Sequence, residues 1–335
     1  MAVKDVRPAV GRSRRFAAAQ WWAALGVLFL ILQVYTVAAW MLRGEATPTH
    51  RGPTPIPTSH VITVWAVQIV CTGIAVVALN HFVFKPWRRT GRIEPDGMLV
   101  LVCANLYFWD PVLNWHRPFI LYSSQAVNIG SWTSAYPGGS PNAHLLPEPF
   151  LIIGAAFVWF FFGVAVLGAT AMRWAKGRWP RINAVGLVAI ACVVGLFADL
   201  IAESIFLQTG VYAYPRTGWL TLFPNAVTRF PLYESIFLGL VCGALASLRY
   251  FRNDRGEMLS ERGVSQLSQS AKHKSWIRFL ALLGAANAAF FFLYAIPIQF
   301  ASLTIDQFHP SVTDKSYFVN GLCPVPGSSF PCAAP

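Results

Sequence analysis

Residues 149–181 read PFLIIGAAFVWFFFGVAVLGATAMRWAKGRWPR. They form an uncharged run over 149–172, then Arg173, Lys176, Arg178 and Arg181. A helix needs about 20 apolar residues to cross the hydrocarbon core of a bilayer, and this run is long enough. Short cytoplasmic loops carry an excess of Lys and Arg, so the basic cluster also says which end of the helix faces the cytoplasm. The unit recurs along the chain. Apolar stretches lie at 22–42, 61–84, 97–113, 149–172, 182–206, 231–250 and 276–300. The segment before the first stretch and the loops after the second, fourth and sixth hold 19 of the 26 Lys and Arg. The alternate loops and the C-terminal tail hold six.

This pattern predicts an all-α fold: a polytopic membrane bundle of about seven helices in a cell membrane, N-terminus cytoplasmic and C-terminus outside. The expected layout is a basic cytoplasmic segment over 1–21, a membrane domain over 22–300 and an extracytoplasmic tail over 301–335. The first stretch exceeds the short apolar core of a signal peptide and reads as a retained helix. The third, 97–113, is the least regular, because Asn105 and Asp110 interrupt it.

With 55% hydrophobic and 12% charged residues, the composition excludes an ordinary soluble domain. The net charge of +12 sits in short loops beside helix ends. There it sets orientation and meets anionic lipid, so no nucleic-acid partner is expected. Cys71, Cys103, Cys192 and Cys242 fall inside apolar spans and read as small core residues. Cys323 and Cys332 lie in the tail, where a disulfide suits an oxidising exterior. The loop Asn253–Ser275 is polar, rich in Ser and Gln, and is expected to be mobile. Outer loops 114–148 and 207–230 differ in kind. Both are aromatic and too apolar to float in solvent, so they are expected to pack over the bundle end as a lid, the second including a short hairpin around Pro215–Gly218.

Ionisable residues inside a span are costly and read as functional by default. Asp110, Asp199, Glu203 and Glu234 sit in or at the edge of spans, and topology puts all four toward the outer side. Asp199 and Glu203 are four apart and share a helix face. Glu203 and Glu234 each begin an ESIFL pentapeptide, at similar depth on consecutive spans. Carboxylates gathered in low dielectric cannot all be ionised. The resulting mixture of neutral acid and charged base is what acid–base catalysis requires. Structural readings stand beside this one: Glu234 as a first-turn acid on the helix dipole, Asp199 or Glu203 paired with an arginine, Asp110 marking a helix end before Pro111. Arg117 and Arg229 are the outer cations best placed for such a pair. Asn105 and Asn287 read as buried amides joining helices. No metal is expected. No histidine pair has ligand spacing, and Pro147 argues against a helix linking His144 to Glu148.

Three segments together resemble the actinobacterial spirocyclase AveC-like family: Tyr107-Phe-Trp-Asp110-Pro-Val-Leu-Asn114-Trp, Asp199-Leu-Ile-Ala-Glu203 and Tyr233-Glu234-Ser-Ile-Phe. The resemblance runs from the first span to the seventh. It implies cofactor-independent cyclisation of a lipophilic, polyketide- or lipid-like dihydroxyketone, with loss of water, in secondary metabolism. On that reading Glu203 or Glu234 is the acid, and Asp199 is the base or cation stabiliser. Asp110 joins the catalytic set and, with Asn114, positions substrate. His116, Tyr212, Tyr233 and Trp109 complete the expected binding residues. Two other classes stay open: a proton-coupled transporter of small molecules or lipids, and a non-catalytic subunit of a membrane complex. Against the transporter, no inverted repeat of helices is evident.

Overall fold

The computed structural model describes residues 17–115, 117–140, 142–215, 217–218, 220–303 and 308–319. His116, Cys323 and Cys332 lie outside them. The described long helices are, in chain order, α1 (Ala18–Leu42), α2 (Thr58–Thr90), α3 (Pro95–Leu106), α4 (Phe150–Arg178), α5 (Ala184–Thr209), α6 (Leu232–Tyr250) and α7 (Ala271–Leu303). All but α3 are long and apolar enough to cross a membrane. In hydrocarbon every backbone polar group must bond within its own segment, which is why such runs become uninterrupted helices. The exception is the irregular third stretch. Its helix stops at Leu106, and a four-residue turn, Trp109–Val112, follows. The break falls at Tyr107–Phe108, because Pro111 has no N–H to donate to the carbonyl of Tyr107 four residues back, and Asp110 sits in the short helical turn beyond it.

The described loops sort into two groups at opposite ends. At one end the aromatic loops are tied to each other. Strand β1 (Leu121–Tyr122) pairs with β4 (Tyr212–Ala213), and β2 (Ile129–Gly130) pairs with β3 (Pro147–Glu148). A hairpin does form, but it joins β5 (Thr221–Leu222) to β6 (Phe230–Pro231) and turns over 223–229 rather than around Pro215–Gly218 as expected, because the strand before Pro215 is taken up by β1. Residues 43–57 and 308–319 join the same end, through Thr49 N to Asn128 Oδ1 at 3.0 Å and Thr54 N to Ser316 Oγ at 2.9 Å. His309 N donates to the Pro215 carbonyl at 3.0 Å. At the other end Arg249 meets Asp96 at 2.9 Å, and Ala19 N donates to the Arg262 carbonyl at 3.2 Å. α3 runs between the two ends.

The polar loop at this basic end departs from expectation. It is folded around Glu257, which is 1% exposed. That carboxylate accepts from Asn253 Nδ2 at 2.7 Å, Gly263 N at 3.1 Å and Ser265 N at 2.8 Å. Burial alone pushes its pKa up, but these donors outweigh burial and hold it at about 2. A loop of polar composition is ordered here by one buried anion.

Two close helix crossings set the core. Lipid tails are as apolar as Leu, so spans associate through small residues that let backbones approach. On α1 and α7, a Cβ on Gly26 would strike the Leu280 carbonyl oxygen, and one on Gly284 that of Trp22. On α6, Gly239 and Gly243 face Cys192 of α5, and a Cβ on Gly239 would meet the Cys192 oxygen at 2.9 Å. Between α1, α3 and α7, Gln33, Asn105 and Asn287 form a closed amide cluster. Gln33 Nε2 donates to Asn287 Oδ1 (2.9 Å), Asn287 Nδ2 to Asn105 Oδ1 (2.9 Å) and Asn105 Nδ2 to Gln33 Oε1 (2.7 Å). The asparagines are structural, as expected.

Candidate active site

The glycine crossing of α5 on α6 has a direct consequence two turns further along α5. Asp199 and Glu203, on one face of α5, come up against Glu234 in the first turn of α6. Each contributes a carboxylate oxygen within 4.8 Å of the others. The two ESIFL glutamates, 31 positions apart in sequence, therefore share one site. Asp199 and Glu234 are 2% and 1% exposed, whereas Glu203 is half-buried. Their carboxyls are held by hydroxyl donors. Ser235 Oγ donates to Asp199 Oδ2 at 2.6 Å, Tyr214 OH to Glu203 Oε2 at 2.9 Å and Tyr294 OH to Glu234 Oε1 at 2.6 Å. Tyr212 OH also lies within reach of Glu203. The Asp199 and Glu234 carboxyls are within hydrogen-bond reach of each other.

These acids line a cavity of about 90 Å³, together with Asp110, Tyr122, Tyr212 and a wall of Phe157, Phe160, Phe161, Phe206 and Phe290. Among the described residues no Lys, Arg or His lines it. Asp110 enters from the broken end of α3, its Oδ2 accepting from Tyr122 OH at 2.7 Å. Irregular turns of helix border the cavity on two sides. A π-turn at Phe291–Ala295 of α7 aims Tyr294 inward, and another at Phe150–Gly154 of α4 places Ile153 in the lining. The first precedes Pro297, which cannot donate to the preceding turn. Such π-turns recur at functional sites.

The half-exposed lining residues are Ala156 and Phe160 of α4 and Ala202, Glu203 and Phe206 of α5; the other lining residues are buried. The cavity thus has its mouth between α4 and α5. Ile201 and Ile205, on the outer face of α5 beside it, are both 61% exposed, so the mouth opens onto apolar surface.

The structure gathers Asp110, Asp199, Glu203, Glu234 and Tyr212 around the cavity and places other expected residues elsewhere. Asn114 is 1% exposed, and its Oδ1 accepts from Phe119 N at 2.7 Å and Ile120 N at 3.0 Å, shaping the loop after α3. Trp109 is sunk in the core, its indole N–H on Asn287 Oδ1 at 2.7 Å. Tyr233 packs on Phe119 outside the lining. Among the described residues Arg229 pairs with no acid. Its guanidinium donates to the Pro224 carbonyl (3.2 Å), the Tyr214 carbonyl (3.5 Å) and Ser311 Oγ (2.7 Å), and so fastens the aromatic loop 207–230 to the segment after α7.

Two kinds of site residue escaped sequence reasoning. The tyrosines 122, 214 and 294 come from two loops and α7, and their spacing carries no signal. Glu148 did leave one. It is the sole acid of residues 114–148 and is bracketed by Pro147 and Pro149. It is fully buried, and its carboxyl lies within hydrogen-bond reach of Asp110.

The Asp199, Glu203 and Glu234 oxygens can serve an acid–base reaction, and oxygen donors of this kind also hold hard divalent cations. A family model described as Spirocyclase AveC-like matches residues 87–318, which takes in all five acids. Comparison with curated proteins and with solved structures gives no match.

Proposed function

We propose a reaction for this chain, which belongs to the Spirocyclase AveC-like family: a water-losing cyclisation of a lipophilic dihydroxyketone to a spiroketal, run by the carboxyl cluster without a cofactor. One hydroxyl of the substrate adds to the ketone to give a hemiketal. A carboxylic acid at Glu234 or Glu203 protonates the hemiketal hydroxyl, and water leaves. The oxocarbenium ion that remains is stabilised by the Asp199 carboxylate. The second hydroxyl then attacks the cationic carbon, and its proton passes to a carboxylate. One water is lost overall, and no electrons are gained or lost.

The observation that carries this reading is the lining itself: three carboxyls with oxygens within 4.8 Å of one another, in an aromatic cavity with no cation among its described lining residues. Only protons among the lining groups can offset charge there, so acid and base forms coexist. The phenyl wall excludes water, which otherwise reverses the ring closure. We place the site toward the outer face of a bacterial cell membrane, with the basic loops cytoplasmic. A polyketide- or lipid-like substrate reaches it sideways from the bilayer, through the mouth between α4 and α5.

The test is a deletion strain complemented with wild type, Glu203→Gln or Glu234→Gln at matched protein levels, its extracts compared by mass spectrometry. The expected result is a missing product and an accumulated species heavier by one water, in the deletion and in both variants. A metabolite merely redistributed between cell and medium, with its covalent structure unchanged, overturns the enzyme in favour of a transporter.

A further inference from the structure

Glu148 stands behind the cavity, and the scheme above does not use it. Its backbone is pinned in β3, with Glu148 opposite Ile129 and Pro147 opposite Gly130. The side chain is 0% exposed, neither carboxylate oxygen has a hydrogen bond of good geometry, and the nearby hydroxyl is that of Ser131. Ser131, a neighbour, directs its hydroxyl to Thr133 Oγ1 at 3.0 Å. What Glu148 does face is the Asp110 carboxyl. The other titratable groups around the pair are Tyr122, committed to Asp110, Tyr107, whose buried hydroxyl has no hydrogen-bond partner among the described residues, and Glu203, which faces Asp110 across the cavity. A buried carboxylate with no donor is strongly disfavoured, whereas a carboxyl pair that shares a proton satisfies both members. Burial first, and the charge of Asp110 second, push the Glu148 carboxyl well above the usual carboxylate range.

We propose that Glu148 and Asp110 form a second, proton-sharing carboxyl station of the cavity, in which Asp110 faces the substrate and Glu148 is the positioning residue that holds the proton behind it. This deepens the cyclisation reading and rests on it for its chemical role. Glu148 donates its proton to Asp110 as a hydrogen bond and leaves Asp110 the free base. When the second hydroxyl attacks the oxocarbenium carbon, the new C–O bond forms and that hydroxyl's proton goes to Asp110. The pair gains one proton as the Glu203/Glu234 group loses one to the departing water. The cycle closes when that proton crosses the cavity. Ring closure thus has a donor at one end and an acceptor at the other.

Two measurements on the full-length protein in lipid nanodiscs test this. Infrared titration reads protonated carboxyl groups without any substrate. A carboxylic-acid band that persists at neutral pH should vanish in Glu148→Gln and remain in Glu234→Gln. In the cyclisation assay, wild type should show an alkaline limb, where the shared proton is lost, and Glu148→Gln should lack it. Glu148→Asp should restore that limb. Glu148→Leu, which leaves Tyr122 but removes the Glu148 proton from Asp110, should lower kcat by about tenfold or more with KM little changed. A band unaltered in Glu148→Gln, or identical pH profiles for wild type and Glu148→Gln, overturns the station. If wild type cyclises nothing yet the band vanishes in Glu148→Gln, the station stands and the proposed reaction falls.

Discussion

Tyrosine hydroxyls reach three of the acids facing the cavity: Tyr294 on Glu234, Tyr214 on Glu203 and Tyr122 on Asp110. Each leaves the second oxygen of its carboxyl for substrate or for another acid. Glu234 Oε2 is buried without an N–H or hydroxyl partner and is the oxygen free to meet Asp199. Losing a buried hydrogen bond costs ~1–3 kcal/mol. Tyr294→Phe should therefore lower the melting temperature by a few degrees, and should lower kcat roughly 10- to 100-fold because the acid that Tyr294 orients is lost to the reaction. Equal losses of activity and stability would make Tyr294 a structural strut. At this scale the acids were legible and their partners were not. Asp199 and Glu203 announce a shared face by their i, i+4 spacing, and charge within apolar runs is conspicuous. A tyrosine in an aromatic loop is not, since the membrane interface uses the same residue as an anchor. Trp109 and Asn114 misled for a related reason: their neighbour in sequence, Asp110, faces the cavity, but the broken end of α3 turns them toward the core and the loop.

Between elements, the α5–α6 crossing determines whether the acids meet. Gly239 and Gly243 on α6 admit the backbone of α5 at Cys192, and Asp199 lies two turns further along. Gly239→Leu should overpack this contact at a cost of about 1–3 kcal/mol. Melting temperature and activity should fall together, since the helices that carry Asp199 and Glu234 are forced apart. An active, fully stable Gly239→Leu protein would show that the crossing does not position the site. The same crossing was within reach of the sequence as a small-xxx-small pattern, whereas the break in α3 depended on a proline whose effect on neighbouring side chains spacing does not convey. At the opposite end, the loop around Glu257 was unreadable from composition: its polarity is directed inward onto one carboxylate. Glu257 has a folded pKa of about 2 against an ordinary 4.5. Its ionised form therefore stabilises the fold fully above pH 4.5, and that contribution is lost as pH falls toward 2. Thermal melts should show wild type more stable than Glu257→Gln at neutral pH, with the gap narrowing below pH 4.5. A gap that is constant with pH would assign the loss to geometry rather than charge.

Across the whole molecule, the loops divide between two ends, and the cavity lies at the aromatic one. Its lining comes from α4, α5, α6, α7 and the tied outer loops, and its half-exposed residues belong to α4 and α5. A volume of about 90 Å³ accommodates the reacting atoms of a substrate and not a long chain, so the remainder extends through the mouth. Ala202→Trp, at that mouth, should reduce kcat/KM for a long-chain dihydroxyketone by about tenfold and spare a short-chain one, since the loss is in uniform binding. Equal effects on both would place the access route elsewhere. The alternation of charge between loops made this two-ended layout legible before any contact was known. What it left hidden was depth: α3 reaches the aromatic end as a helix followed by a turn, and that irregularity delivers Asp110 to the cavity.

The most direct measurement is turnover by the purified protein in lipid nanodiscs, given a lipophilic dihydroxyketone and followed by chiral separation with mass detection. Wild type should yield one spiroketal stereoisomer, lighter than the substrate by one water. Glu234→Gln should form it about 10²–10⁴-fold more slowly, the usual contribution of a general acid. Equal rates for the two proteins, or a racemic product indistinguishable from that of empty nanodiscs, would contradict the account.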